Sequence, residues 1–212
     1  TGAHWTREVL SATRYPVAGF DGACFDGASV FTPDDILAGA EPEGPVVIYD
    51  FDHYYMGSCL AELLRLRGSK VTVVTPANAV SAWTFMNNEL ADIRTRMISL
   101  KINIVLEHQV SGFSNGAVEL ASIYRGGQTR SIECGSLVIV GTRAADDSLF
   151  LELKSDADRL ANAGMVSLRS IGDCQTPGTI AHAVYSGHEC ARTINAGDDV
   201  EPIAWERPRL QF

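Results

Sequence analysis

The 212 residues carry 26 Asp and Glu against 17 Lys and Arg, a formal charge of −9, which argues against nucleic-acid and anionic-membrane partners because phosphates are held by excess cations. Apolar residues make up 46% of the chain, enough to bury one sizeable domain with an appendage. No apolar run approaches the roughly 20 residues that span a bilayer, and no basic stretch precedes an apolar core at the N-terminus.

In chain order, the first 40 or so residues read as an irregular linker crossing a surface, with Gly, Pro and Asp recurring through Tyr15-Pro16, Gly19, Asp21-Gly22, Asp26-Gly27 and Thr32-Pro33-Asp34-Asp35. A short helix is expected from Pro33, capped by Thr32. The opening Thr1-Gly2-Ala3 resembles the end of a strand. After Gly44-Pro45, Val46 to Tyr49 reads as a buried strand. Met56, Cys59, Leu60, Leu63 and Leu64 then repeat at helical spacing, and Gly68 supplies the C-terminal cap. Val71 to Val74 is a second strand, so strand, helix and strand fit one right-handed parallel crossover.

A helix is expected from Ser81 to Leu100, with Trp83, Met86, Leu90, Ile93 and Met97 on a core-facing stripe, followed by a strand over Ile102–Leu106. The period then changes to two over Val110–Phe113, Val118–Tyr124 and Thr129–Cys134. Ser114-Asn115-Gly116 and Arg125-Gly126-Gly127 separate these runs as turns, which predicts an antiparallel meander. Leu137 to Val140 is a further buried parallel strand. A polar, partly helical stretch runs from Gly141 to about Asn162. Val166 to Ile171 reads as one more strand, and a helix follows from about Gly178 to Ile194, its apolar face including Ile180, Val184, Ala191 and Ile194, with Gly187 permitting a close neighbour. The tail after Gly197 is expected to be extended. The five cysteines, Cys24, Cys59, Cys134, Cys174 and Cys190, are scattered without a Cys-x-x-Cys pair. They read mostly as reduced, buried thiols of a cytoplasmic protein, with neither zinc nor iron-sulfur ligation indicated.

The segment Val46 to Gly57 begins like a dinucleotide-binding strand-turn-helix. In that fingerprint the first glycine makes the tight turn, the second admits the pyrophosphate and the third lets helix and strand pack closely. With Gly57 as the third, the first two positions hold Asp52 and Tyr54. A carboxylate and a phenol there oppose a diphosphate by charge and by bulk. The acidic residue that would grip an adenosine ribose is missing too, since Val71–Thr75 runs into Pro76.

The order of crossover, meander, returning strand ending in Gly141-Thr142, and Ile171-Gly172-Asp173 before a helix resembles the pyridine-nucleotide-disulfide oxidoreductase class of flavoproteins. Within it, Ile48 to Glu62 and Ile171 to His188 resemble the C-terminal nucleotide-binding region of the trimethylamine, dimethylamine and histamine dehydrogenases, and the likeness covers nearly the whole chain. The fold implied is α/β, a Rossmann-like NAD(P)/FAD-binding fold with a parallel sheet and an antiparallel β-meander. Three parts are implied: residues 1–44 as linker and remnant of an FAD/ADP-like domain, 45–143 as a degenerate NAD(P)-like Rossmann domain, and 144–212 as a return segment to the FAD/ADP-like domain with a tail.

The same resemblance implies a longer parent oxidoreductase. There a (β/α)8 barrel holds FMN and a 4Fe-4S cluster, small alkylated amines are oxidised, electrons leave to an acceptor protein, and ADP or FAD occupies the FAD-like position. This chain then has the character of a fragment that partners the remaining domains, with a homo-oligomer as a further possibility, and no cofactor is expected in it alone. Two alternatives remain open: an NAD(P)H-dependent flavin reductase module of the dienoyl-CoA reductase type, and a non-enzymatic adaptor domain.

The cofactor-binding candidates are Gly172, Asp173 and Gly57. In the class, the Gly-Asp carboxylate accepts a hydrogen bond from a flavin ribityl or ribose hydroxyl, and the next helix offers its N-terminus to phosphate. The plainer reading makes Asp173 a helix-entry residue that caps its own backbone. His53, Tyr54 and Tyr55 read either as a proton-transfer cluster or, with more weight, as a surface or interdomain turn. His182 and His188 lie on different helix faces and make a poor metal pair. Ser58 and Ser186 lack a nucleophile-elbow context, and no catalytic residue or metal ligand is assigned.

Overall fold

The computed structural model describes residues 2–10, 12, 22–124 and 129–194. Two compact units divide these, residues 4–144 and residues 2–3 with 145–194. Its elements in chain order are β1 (Gly2–Trp5), β2 (Glu8–Leu10), β3 (Gly22–Cys24), β4 (Val30–Phe31), α1 (Pro33–Leu37), β5 (Val46–Asp50), α2 (Met56–Leu66), β6 (Val71–Val74), a 3-10 turn over Ala82–Asn87, α3 (Leu90–Ser99), β7 (Asn103–Val105), β8 (His108–Ser114), β9 (Ala117–Ser122), β10 (Thr129–Glu133), β11 (Ser136–Val140), β12 (Arg143–Asp146), α4 (Ser148–Ser155), α5 (Ala157–Asn162), a 3-10 turn over Gly172–Cys174, and α6 (Ile180–Thr193).

In the unit of residues 4–144 the fold is mixed α/β. Five parallel strands stand in the order β4-β11-β5-β6-β7, and β8, β9 and β10 form an antiparallel sheet in the order β10-β9-β8. Alternation along β5 assigns its side chains to two cores. Val46 and Ile48 pack with Leu60, Ala61 and Leu64 of α2 and with Met97 of α3, whereas Val47 and Tyr49 pack with Val110, Val118 and Leu120 of the meander. The parallel sheet is thus covered by helices on one face and by the meander on the other, which is why β5, β6 and β11 are buried at every residue.

The crossover, the meander and the strand over 137–140 form as the sequence leads one to expect. Asn115 and Gly116 both adopt positive φ, 51° and 74°, as a two-residue hairpin turn demands. Thr32 and Asp35 form a reciprocal capping box at the start of α1, with Pro33 at its first turn. Asp35 is also held below the usual carboxylate range, chiefly by the backbone N–H of Thr32. Thr32→Ala removes one acceptor and is expected to lower the urea midpoint by the equivalent of about 1 kcal/mol, with an unchanged m-value.

Several expectations fail for identifiable reasons. The single helix over Ser81–Leu100 is broken: Asn88 takes a left-handed conformation (φ 66°) that ends the 3-10 turn, and α3 starts afresh at Leu90. Trp83 and Met86 are therefore not core; they are 61% and 81% exposed, with Phe85 beside them at 67%. The linker before Val30 contains short strands, β2 pairing antiparallel with β3. No strand forms over 166–171, where Val166 is fully exposed. α6 begins two residues later than expected and buries none of its residues. Ile180 and Val184 face outward, and nothing packs within 4 Å of a side chain placed at Gly187. Of the thiols, Cys134 is buried, Cys174 and Cys190 are half-buried, and Cys59 is exposed rather than packed. Tyr15-Pro16, Gly19, Asp21, the turn at Arg125-Gly126-Gly127 and the tail after Gly197 lie outside the described residues, as does the environment of Cys24.

No helix among the described residues is long and apolar enough to cross a membrane.

Candidate functional site

The turn between β5 and α2 is built on a residue that fingerprint matching passes over. Alternation puts Asp50, the last residue of β5, on the same face as Val46 and Ile48, and so beneath the first turn of α2. Its carboxyl is fully buried. Gly57, the second residue of α2, lies directly against it: a Cβ at position 57 would stand 2.6 Å from Asp50 Cγ and 2.9 Å from Oδ2. The third glycine of the fingerprint therefore keeps its packing role, but what it accommodates is an acid from its own strand.

Asp50 Oδ1 accepts the backbone N–H of His53 at 3.1 Å, and Oδ2 has no hydrogen-bond partner. Burial pushes the Asp50 carboxyl up to about 7; the N–H of His53 opposes this, Asp52 adds to it, and the N–H dipoles of Ser81 and Asp52 act with His53. The turn leaves the sheet by two bonds to one carbonyl, Phe51 N–H and Asp52 N–H both donating to Val140 O at 2.8 and 3.2 Å. His53 is held at φ 59° with its Nδ1 3.3 Å from Thr75 Oγ1, and its imidazole is shifted down by burial.

At the first glycine position, Asp52 is half-buried. Burial raises its pKa, and the nearby Arg143 guanidinium opposes the rise. At the second, Tyr54 lies with its ring centroid 4.2 Å from that of Tyr55. Tyr55 in turn hydrogen-bonds Glu89, which pushes its phenol up to about 12, and Asn87 donates to the same phenol. His53, Tyr54 and Tyr55 do not converge into a proton relay: the imidazole turns to Thr75 while Tyr55 turns to the start of α3. Below the turn, Ser81 Oγ donates to Ser58 Oγ at 3.0 Å, and Ser58 Oγ donates to Tyr55 O at 2.9 Å, so these hydroxyls serve the fold. One opening beside α2 lies toward α3, a cavity of about 80 Å³ lined by Tyr55, Cys59, Glu62, Ile93, Arg96 and Leu100. A diphosphate does not fit at the turn, where an acid lies under the helix start and a second acid and a phenol hold the glycine positions.

In the unit containing residues 145–194, Gly172 adopts φ 65° and its N–H donates to Ser186 Oγ at 3.0 Å. Asp173 Oδ1 accepts the N–H of Gly178 at 3.2 Å. At the start of α6, His182 Nδ1 accepts the N–H of Thr179 at 3.2 Å in a capping box. A phosphate at the helix start would compete with His182. His182 thus serves as a cap, and nothing joins it to His188. Among the described residues no group of three or more His, Cys, Asp and Glu is placed to hold a metal ion.

Residues 31–144 match the family model described as the OYE-like second alpha/beta domain. Dimethylamine dehydrogenase of Hyphomicrobium sp. (strain x) is 30% identical over 98% of this chain and 30% of its own length. Among solved structures, histamine dehydrogenase from Rhizobium sp. 4-9 superposes with a TM-score of 0.85 and 34% identity over all of this chain and 32% of that one. 6-Hydroxypseudooxynicotine amine oxidase from Pseudomonas geniculata N1 gives 0.79 and 32% over 93% of this chain and 28% of that one. The chain thus spans about a third of the length of these relatives. With the family model covering more than half of it, the chain belongs to the OYE-like second alpha/beta domain family and is homologous to the dimethylamine and histamine dehydrogenases.

Proposed function

We propose that the chain serves as a nucleotide-fold module of an amine-dehydrogenase-like flavoprotein oxidoreductase. Its residues 45–143 form a Rossmann-like NAD(P)-type domain that has lost its ligand, and residues 144–212, with the remnant in 1–44, complete an FAD/ADP-like domain. The observation that carries this is similarity along the entire chain to histamine dehydrogenase at 34% identity and a TM-score of 0.85. The acid-filled turn at Asp50, Asp52 and Tyr54 supports a module kept for architecture rather than for hydride delivery.

In this reading Asp173 accepts a hydroxyl of ADP or FAD and Gly172 gives the backbone its close approach, while Gly57 packs the helix without touching a ligand. The amine chemistry belongs to FMN, with a 4Fe-4S cluster passing electrons to an acceptor protein. Neither group is assigned ligands in this chain. Its partners are then the other domains of the same cytoplasmic enzyme, in an assembly open to homo-oligomers.

The complete natural gene product tests the proposal. It is expected to show flavin absorbance that bleaches anaerobically on adding a small secondary amine such as dimethylamine, and not on adding NADPH. Bleaching by NADPH alone would favour a dienoyl-CoA reductase-type module. A natural product no longer than this chain and without flavin absorbance would favour an adaptor.

A further inference from the structure

The acid beneath α2 is wired to the exposed apolar turn that follows β6. Asp50 accepts the N–H of His53. The carbonyl of that same His53 accepts the N–H of Trp83 at 2.9 Å. Ser81, left-handed at φ 52° and fully buried, turns its backbone N–H toward the Asp50 carboxyl, and its carbonyl accepts Thr84 Oγ1–H at 2.7 Å. One hydrogen-bonded path thus runs from the carboxyl through His53 to the first turn of Ala82–Asn87, the segment that presents Trp83, Phe85 and Met86, and the N–H dipole of Ser81 adds an electrostatic link.

The carboxyl itself is divided in character. One oxygen takes an N–H, as an anion would prefer, while the other is buried without a partner, where an anion loses more than a neutral carboxyl does. The ionisable groups acting around it are few. Asp52 repels the anion from within the turn, Arg143 acts on Asp52, His53 offers its backbone N–H while its imidazole goes to Thr75, and Tyr49, the preceding residue on β5, is raised by burial and by Asp50. From α2 the facing residue is Gly57, and from β11 the register partner is Val140. The Asp50 carboxyl sits up near 7, so both forms are populated close to neutrality.

We propose that Asp50 is a proton-operated anchor: its anion tightens the hold on the N–H of His53 and attracts the N–H dipole of Ser81, its neutral form relaxes both, and the exposed Trp83–Met86 turn follows. No ligand is needed, and the device is independent of which amine, if any, the longer enzyme oxidises.

Carboxyl-carbon and amide NMR of the full chain between pH 4 and 9 tests this. The Asp50 carboxyl carbon and the amides of His53, Ser81 and Trp83 are expected to share one midpoint near 7. Asp50→Asn abolishes the shared titration, whereas Asp52→Asn and His53→Asn leave it in place. An Asp50 carbon that titrates in the ordinary carboxylate range overturns the proposal, as do amides that keep the transition in Asp50→Asn or that fail to follow the carboxyl. Should Asp50→Asn not fold, agreement or disagreement between the wild-type carbon and amide midpoints decides.

Discussion

Gly57→Ala is expected to destabilise the 4–144 unit by about 3 kcal/mol, the upper end of what overpacking usually costs. A methyl group at that position would stand 2.6 Å from Asp50 Cγ and 2.8 Å from its Cβ, distances that require β5 and α2 to separate. Neither can move freely: Asp50 ends a strand hydrogen-bonded on both sides, and α2 carries Leu60, Ala61 and Leu64 into the core. Urea unfolding of the two proteins measures the loss. In a double-mutant cycle, Asp50→Gly is expected to recover much of it, since it removes the Cβ, Cγ and Oδ2 atoms that the methyl would strike. An equal loss in either background would mean that helix 56–66 is sensitive at position 57 for another reason.

Stability is expected to fall as pH rises from about 4 to 7 by up to about 4 kcal/mol in wild type relative to Asp50→Asn. The sign follows from proton counting. In the unfolded chain Asp50 titrates at its ordinary 3.8, and in the folded one near 7, so between these values the folded state binds more protons. The favourable contribution is complete below the unfolded value and is gone once pH has passed the folded one. His53 works the other way. Its imidazole is shifted below the ordinary 6.5, so its contribution is present above that value and is lost as pH falls. Asp35, held below 3.8, likewise favours the folded state above the carboxylate range. Taking the difference between the wild-type and Asp50→Asn profiles isolates the one carboxyl. A flat difference would show that the folded protein hydrates or partners Asp50 as well as water does.

Where burial was strong, sequence patterns carried far. β5, α2 and β6 follow from a continuous apolar run, a helical repeat and Gly68, which does take φ 98° at the helix end. The capping box at Thr32 and the hairpin at Asn115-Gly116 were legible because each depends on neighbouring residues alone. The sequence suggests one helix over 81–100 because Trp83, Met86, Leu90, Ile93 and Met97 keep a helical spacing across a break that Asn88 makes with its backbone; the pair Asn87-Asn88 is the local sign of that break. Ile180 and Val184 show the converse limit, since periodicity marks a face but not whether anything covers it. Asp50 escaped because the fingerprint directs attention to the glycine positions, and the strand residue below the helix is chosen by alternation. Carrying the Val46, Ile48 pattern one step further would have found it.

The order β4-β11-β5-β6-β7 also sets a timetable for folding. β5, β6 and β7 can assemble as they are synthesised, but one flank of β5 must wait for β11, and Val30 of β4 has its register partner only at Leu137. A nascent chain that has reached the meander therefore carries an apolar strand with an open edge, which is a template for misassociation until about 90 further residues have followed it. The last strand of the sheet to be translated is the one that closes its middle.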